Sequence, residues 1–247
     1  MDAPETPSTD VECTTVWSFP KRGDWATHSP GYRGNWAPQI PRNLMLRYTK
    51  EGDTVLDPMV GGGTTMIECK LLNRRGIGFD INPAAVRLTQ SALRFSSAAS
   101  PEIIIKRGDA RDLRGVDDSS VDLVVMHPPY ADIVQYSDGK IPGDLSNHHK
   151  IEEFSTEMAQ VAHSAYRVLR PGKYCGVLIG DTRRKGMYVS ISSEVLKRFQ
   201  DAGFVLKEDV IKVQHNCRMT GYWKWQSIKF NFLLIQHEHL YIFKKPR

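Results

Sequence analysis

Four short apolar runs in the first half of this chain each stop abruptly at residues that carry chemistry. Thr54-Val55-Leu56 stops at Asp57-Pro58 and enters the glycine loop Val60-Gly61-Gly62-Gly63-Thr64-Thr65. Gly76–Phe79 stops at Asp80, Ile103-Ile104-Ile105 leads to Gly108-Asp109-Ala110, and Val121–Met126 stops at His127-Pro128-Pro129-Tyr130. Segments of helical period separate these runs. That alternation specifies parallel strands joined by crossover helices, with both faces of the sheet covered. In such sheets ligands bind beyond the carboxyl ends of the strands, so four reactive strand ends share one rim.

The other elements follow the same grammar. Helices are expected over Pro38–Tyr48, from the glycine loop through Leu72, over Pro83–Phe95 with proline in the first turn, and over Ile151–Leu169 and Ser190–Ala202. Further strands are expected over Tyr174–Ile179 and Phe204–Val213, with one or two closing strands in Phe230–Leu234 and Tyr241–Phe243. Residues 1–14 read as a flexible tail, 15–37 as an ordered irregular segment, and 131–149 as a polar loop. The expectation is a single α/β domain over 15–247, doubly wound, with an antiparallel closing strand.

Composition narrows the function. With 40% apolar and 25% charged residues over 247 positions, the chain can bury a full core. No apolar run reaches the roughly 18 residues of a membrane-spanning helix, and the N-terminus lacks the basic flank and apolar stretch of a secretory signal. Cys13, Cys69, Cys175 and Cys217 are widely spaced, which argues for reduced thiols in a cytoplasmic protein. From Arg170 to Arg247 there are 15 Lys/Arg against 6 Asp/Glu, or +9, while the first 169 residues carry 18 against 22, or −4. A basic C-terminal third suits a polyanion, although a solvated lysine surface gives the same count.

The strand ends then suggest a ligand. Glycines and the following helix N-terminus allow close backbone approach and offer N–H groups, but the loop fits neither a P-loop nor a dinucleotide fingerprint. Asp80 is placed to accept from ribose hydroxyls and Asp109 from an adenine amino group. His127-Pro128-Pro129-Tyr130 cannot continue a strand. Its prolines fix a rigid turn with a ring nitrogen and a free carbonyl as acceptors beside an aromatic face, the elements needed by a flipped base with an exocyclic amino group.

On these residues the chain resembles the DNA amino-methyltransferases, which methylate adenine N6 or cytosine N4 with S-adenosylmethionine. Leu56-Asp57-Pro58-Met59-Val60-Gly61-Gly62-Gly63-Thr64-Thr65 is similar to the family's D-P-F-x-G-S-G-T-T, and Pro128-Pro129-Tyr130 matches its P-P-Y. Trp17–Pro41 looks like its N-terminal cofactor-covering segment, and the likeness runs from about Thr15 to Pro246. The resemblance implies a class I, Rossmann-like methyltransferase fold. It implies cofactor contacts at Phe19, Asp57, Pro58, Gly61, Gly63, Thr64, Asp80 and Asp109, and a catalytic loop of His127, Pro128, Pro129 and Tyr130. In that loop His127 and the Pro128 carbonyl would bond the target amine, and Tyr130 would stack on the base. The departure is His127, where the family carries Asp, Asn or Ser. A neutral histidine accepts one hydrogen bond without adding charge, which leans the base toward cytosine N4.

Ile179-Gly180-Asp181-Thr182-Arg183-Arg184-Lys185-Gly186 offers three basic residues to DNA phosphates, with Asp181 read as orienting the catalytic loop. Arg218, Trp223, Lys224 and Trp225 offer charge and stacking surfaces. Target recognition is therefore expected in about 131–149 and 182–229. His148-His149 and His237-Glu238-His239 have metal-like spacing without a complete ligand set, so no metal is expected. Double-stranded DNA is the expected partner, with a homodimer, a separate specificity subunit and a companion restriction enzyme left open. An RNA amino-methyltransferase and a catalytically silent cofactor- or DNA-binding subunit are the competing readings.

Overall fold

The computed structural model describes residues 10–32, 34–130, 139–215 and 220–247. Among these residues ten strands and six α-helices follow one another: β1 (Val16–Ser18), α1 (Gln39–Tyr48), β2 (Thr54–Asp57), α2 (Thr64–Leu71), β3 (Arg75–Asp80), α3 (Pro83–Ala92), β4 (Ile103–Arg107), β5 (Val121–Met126), α4 (Ile151–Val168), β6 (Leu169–Ile179), β7 (Thr182–Arg184), β8 (Met187–Val189), α5 (Ile191–Asp201), β9 (Val205–Val213), α6 (Thr220–Lys229) and β10 (His237–Lys244). Eight strands form one sheet in the order β1-β9-β10-β6-β5-β2-β3-β4. All neighbouring pairs are parallel except those of β10, which runs antiparallel to both β6 and β9.

Strand alternation divides the core into two layers. Val124, Met126, Val177, Ile179, Tyr241 and Phe243 face α4 and α5, where Phe154, Met158, Val195 and Phe199 meet them. Leu123, Val125, Leu178, Leu240 and Ile242 face the other way, onto Ile40, Leu44 and Met45 of α1 and Met66 of α2. All six residues of β5 are buried, five of them apolar and Asp122 accepting from Thr54 N and Arg170. Helix starts follow local chemistry. Asn82 caps α3 by accepting from the Ala84 N–H at 2.9 Å, with Pro83 in the first turn. Glu152 and Glu153 occupy the first turn of α4, complementing its dipole.

The structure differs from expectation in four places. The segment 15–37 is not wholly irregular: Val16–Ser18 pairs parallel to Ile211–Val213 and forms a sheet edge. Only the central Trp17 of these three residues is buried, so no alternation of useful length marks the strand. Phe230–Leu234 carries no strand, and α6 precedes it instead; Phe230 and Leu233 are 62% and 82% exposed, so this apolar run lies outside the core. Strand β10 is antiparallel as expected but lies inside the sheet, because it bonds along both sides. The basic 182–186 stretch belongs to a β7–β8 hairpin rather than a plain loop.

Candidate active site

The carboxyl ends of β2, β3, β4 and β5 open onto one cleft of about 790 Å³ including its mouth. Asp57, Pro58 and Gly61 line it from the first strand end, Asp80 from the second, Asp109 from the third, and His127 and Pro129 from the fourth. Tyr32, Gly34, Asn35 and Trp36 of the N-terminal segment form the opposite wall, and the turn Gly143-Asp144-Leu145 closes one end.

The glycine loop is shaped by that opposite wall. A Cβ at Gly61, whose φ is +50°, would lie 2.8 Å from the Tyr32 ring, and one at Gly62 would lie 2.9 Å from Tyr32 Cβ and 3.0 Å from Asn35 Nδ2. Thr64 Oγ1 donates to Asn35 Oδ1 at 2.6 Å. The wall is anchored from behind by Glu68, fully buried on α2. Its Oε1 accepts from Trp25 Nε1 and pairs with His28 Nε2, each at 2.7 Å, while Oε2 accepts from Arg42 at 2.8 Å. A buried carboxylate with three partners is satisfied, and it ties two strap residues and α1 to the helix that follows the glycines.

The carboxylates differ in what they hold. Asp57 accepts from Met59 N at 2.9 Å and Thr65 Oγ1 at 2.5 Å; burial raises its pKa to about 7 despite those bonds. Asp80 accepts from the Asn82 and Gly61 N–H groups at 2.9 and 3.0 Å, and burial raises its carboxyl too. Asp109 is clasped by Arg111, whose Nε lies 2.9 and 3.1 Å from its two oxygens. Burial would raise the Asp109 pKa, but the Arg111 bonds hold it below the usual carboxylate range.

At the fourth strand end the tetrapeptide is locked into a polar chain. His127 Nε2 lies 2.7 Å from Tyr130 Oη, Tyr130 donates to Glu238 Oε1, and Lys212 donates to Glu238 Oε2 at 2.8 Å. Burial would raise the Glu238 pKa, but Lys212 above all holds it below its ordinary value. An anionic Glu238 takes the single Tyr130 proton, so the Tyr130 oxygen is the acceptor for His127 Nε2–H. The other ring nitrogen, Nδ1, is buried, and the nearby Gly34 backbone favours the protonated ring. Trp36 stacks on the imidazole with centroids 5.8 Å apart, and the Tyr130 ring lies against Gly180, where a Cβ would come within 2.7 Å.

Burial is the main reason the His127 pKa falls to about 4, with Lys212 and Arg22 adding to it and Glu238 opposing it. The imidazole is therefore neutral at pH 7. The native state resists protonation more than the unfolded chain does, so this group's contribution is complete above pH 6.5 and is lost as pH falls toward 4. Stability from urea titrations is expected to drop by roughly 2–3 kcal/mol over that window. His127→Gln should flatten this part of the profile.

Several expected site residues lie elsewhere. Phe19 packs beside Trp17, centroids 6.2 Å apart, on the apolar layer under α1. Gly63 and Thr64 open α2, and they, Pro128 and Tyr130 are not among the cleft-lining residues. Asp181 does not hold the catalytic loop: it accepts from Ser192 N and Oγ at 2.8 and 2.9 Å and from Tyr188 Oη at 2.5 Å, fixing the hairpin to α5. Arg183 donates twice to the Leu233 carbonyl and Arg184 to that of His149, while Lys185 is exposed at the hairpin tip. Trp223 and Trp225 are about half exposed on α6. Arg218 lies outside the described residues, as do 131–138 of the expected recognition loop. Sequence reasoning missed Glu238 and Lys212, since His237-Glu238-His239 suggests only a metal-like spacing. Pairing of β9 with β10 sets Lys212 opposite Glu238, and no local pattern announces that pair.

A parallel sheet covered on both faces, with its one antiparallel strand beside the last parallel one and a cleft over the strand ends, is the class I S-adenosylmethionine-dependent methyltransferase fold. Solved structures agree. TrmN from Thermus thermophilus superposes with a TM-score of 0.58 at 19% identity, over 86% of this chain and 50% of that one. A SAM-dependent methyltransferase from Methanosarcina mazei gives 0.56 at 17% identity, over 81% and 96%. The N6/N4 DNA methylase family model matches residues 3–91 and 121–247, and the chain belongs to that family, whose cofactor is S-adenosylmethionine. Among curated relatives, the tRNA (guanine(10)-N2)-dimethyltransferase of Methanothermobacter thermautotrophicus is 39% identical over 100 residues, 40% of this chain and 29% of its own. Type II methyltransferase M.HpaI of Haemophilus parainfluenzae is 48% identical over 50 residues, 20% and 16% respectively. The match thus spans less than a third of either relative. No helix among the described residues is long and apolar enough to cross a membrane.

The cleft suits this cofactor. It offers carboxylate acceptors at Asp57 and Asp80 for the hydroxyl and ammonium donors of an adenosyl amino acid, and it contains a buried carboxylate oxygen, Asp144 Oδ2, with no partner among the described residues.

Proposed function

We propose that the protein methylates an exocyclic amino group of a flipped base in double-stranded DNA, with cytosine N4 favoured over adenine N6. The observation that carries this reading is that His127 and Pro129 line the same cleft as Asp57, Asp80 and the glycine loop. S-adenosylmethionine supplies an electrophilic methyl group at its sulfonium. Asp57, Pro58, Gly61 and Asp80 hold the cofactor, Asp80 at the ribose, while Gly63 and Thr64 fix the start of α2 behind the loop. Neutral His127 and the Pro128 carbonyl accept from the target amine and turn its lone pair toward the methyl group. Their contribution is orientation, and Tyr130, held by Glu238, keeps the imidazole in one tautomer. An uncharged acceptor supports cytosine, by analogy with serine in the N4 enzymes.

The basic hairpin and α6 form the duplex-facing side, with target choice in about 131–149 and 182–229, whether the protein acts alone, as a homodimer or beside a specificity subunit. Lys185 and Lys224 supply phosphate contacts, and exposed Trp223 and Trp225 supply stacking faces. Arg183 is a hairpin clamp as well as a charge. The double variant Lys185→Ala, Lys224→Ala should weaken duplex binding and lower the slope of log K against log salt by about 0.9 for each phosphate that is no longer neutralised; an unchanged slope removes these lysines from the interface.

The likeness to a tRNA dimethyltransferase over 40% of the chain supports RNA as the second reading. Transfer of labelled methyl to duplex DNA and to structured RNA, followed by nuclease digestion specific for each, separates the two. Label released by deoxyribonuclease is expected. Label released only by ribonuclease transfers the function to RNA, and cofactor binding without label in either polymer marks a silent subunit.

A further inference from the structure

The cleft contains an acceptor that plays no part in the transfer chemistry proposed for His127 or in the ribose contact of Asp80. Gly143, at φ +83°, lies so close to the ends of β3 and β4 that a Cβ there would be 2.4 Å from Arg111 Nη2 and 3.2 Å from Ile81 Cδ1. The next residue, Asp144, is 5% exposed and lines the cleft. Its Oδ1 accepts from Ser146 N and Oγ at 2.9 and 2.8 Å. Its Oδ2 is buried and has no hydrogen-bond partner among the described residues. Native structures rarely leave such an oxygen without a donor. Asp144 also stands near enough to Asp80 to contribute, after burial, to raising that carboxyl.

The residue expected to read adenine is otherwise engaged. Arg111 places its backbone N–H and Nε at 2.9 Å from Asp109 Oδ1, and its Nη2 at 2.5 Å from Oδ2, so the guanidinium fills most of the acceptor sites of that carboxylate. Beside Asp144 and the carboxylates, Ile81, Ala110 and Leu145 give the cleft apolar surface. A slot of that character takes a flat base rather than a sugar, and the donor on the base of S-adenosylmethionine is its adenine amino group. We propose that Asp144 Oδ2 accepts the exocyclic amino group of the cofactor's adenine, with Asp109 acting through Arg111 to hold the Gly143-Asp144 turn in place.

The proposal rests on the cleft being the cofactor seat, and calorimetry separates the two. Wild-type protein is titrated with S-adenosylhomocysteine and with S-inosylhomocysteine, in which an oxo group replaces the amino group. Wild type should prefer the adenosyl compound by about tenfold or more, the cost of facing a carboxylate with an acceptor. Asp144→Asn keeps an oxygen for Ser146 and can offer an amide N–H, so it should weaken the adenosyl compound, strengthen the inosyl compound and erase the preference. Thermal melting confirms that the variant is folded. Failure of the wild type to bind S-adenosylhomocysteine sinks the cofactor seat itself. Binding with no preference, or a preference that Asp144→Asn leaves intact, overturns the role of Asp144 alone. A loss equal for both purines that vanishes with the 2′-deoxyribosyl analogue assigns Asp144 to the ribose and likewise overturns it.

Discussion

His127→Ala should lower the rate of methyl transfer at saturating cofactor by about 10²-fold or more while changing S-adenosylhomocysteine affinity by less than about threefold. The asymmetry follows from position. The imidazole lies at the Pro129 end of the cleft, stacked on Trp36 and bonded to Tyr130, whereas Asp57 and Asp80, the acceptors proposed for the cofactor's ribose and amino acid, belong to the β2 and β3 ends. Single-turnover kinetics paired with calorimetry reads both quantities. His127→Asn places the family's amide acceptor at the same position and should recover part of the rate. A full rate in the alanine variant removes His127 from the target amine.

The second large effect concerns stability. Glu68→Ala leaves Arg42 charged and buried, and leaves Trp25 Nε1 and His28 Nε2 without their acceptor. Breaking a buried ion pair from one side costs about 3–5 kcal/mol, which for a chain of this size lowers the melting temperature by roughly 10 °C. Because Glu68 anchors the segment that forms the far wall of the cleft, cofactor affinity should fall with it, even though Glu68 does not line the cleft. Glu68→Gln keeps an acceptor and should lose less on both measures. A variant as stable as the wild type would show that the strap is held by its apolar contacts.

What is legible in the chain is what short-range chemistry dictates. Strands β2 to β5 are readable because each carries a short apolar run cut off by Asp57-Pro58, Asp80, Gly108 or His127-Pro128, and the helices because their periods and caps are local. The rim of the cleft follows, since the topology of a parallel sheet places all those strand ends together. What is not legible depends on contacts across long separations. β1 is three residues with one buried side chain, identifiable only through its pairing with β9. Glu68 reads as an ordinary helix glutamate until Trp25, His28 and Arg42 arrive from 26 to 43 residues away. The Tyr130–Glu238 bond joins residues 108 apart. Phe230–Leu234 misleads for the opposite reason: apolar residues on a surface have the same composition as a buried strand.

The most direct test of the chemistry proposed for His127-Pro128-Pro129-Tyr130 is nucleoside mass analysis of methylated DNA, because the proposal has that turn receive an exocyclic amine. N4-methylcytosine is the expected product, and N6-methyladenine would keep the amino-group chemistry while reversing the choice of base. A methyl group on ring carbon, as in 5-methylcytosine, or on a ring nitrogen would contradict the assignment, since neither calls for an acceptor aimed at an amino group.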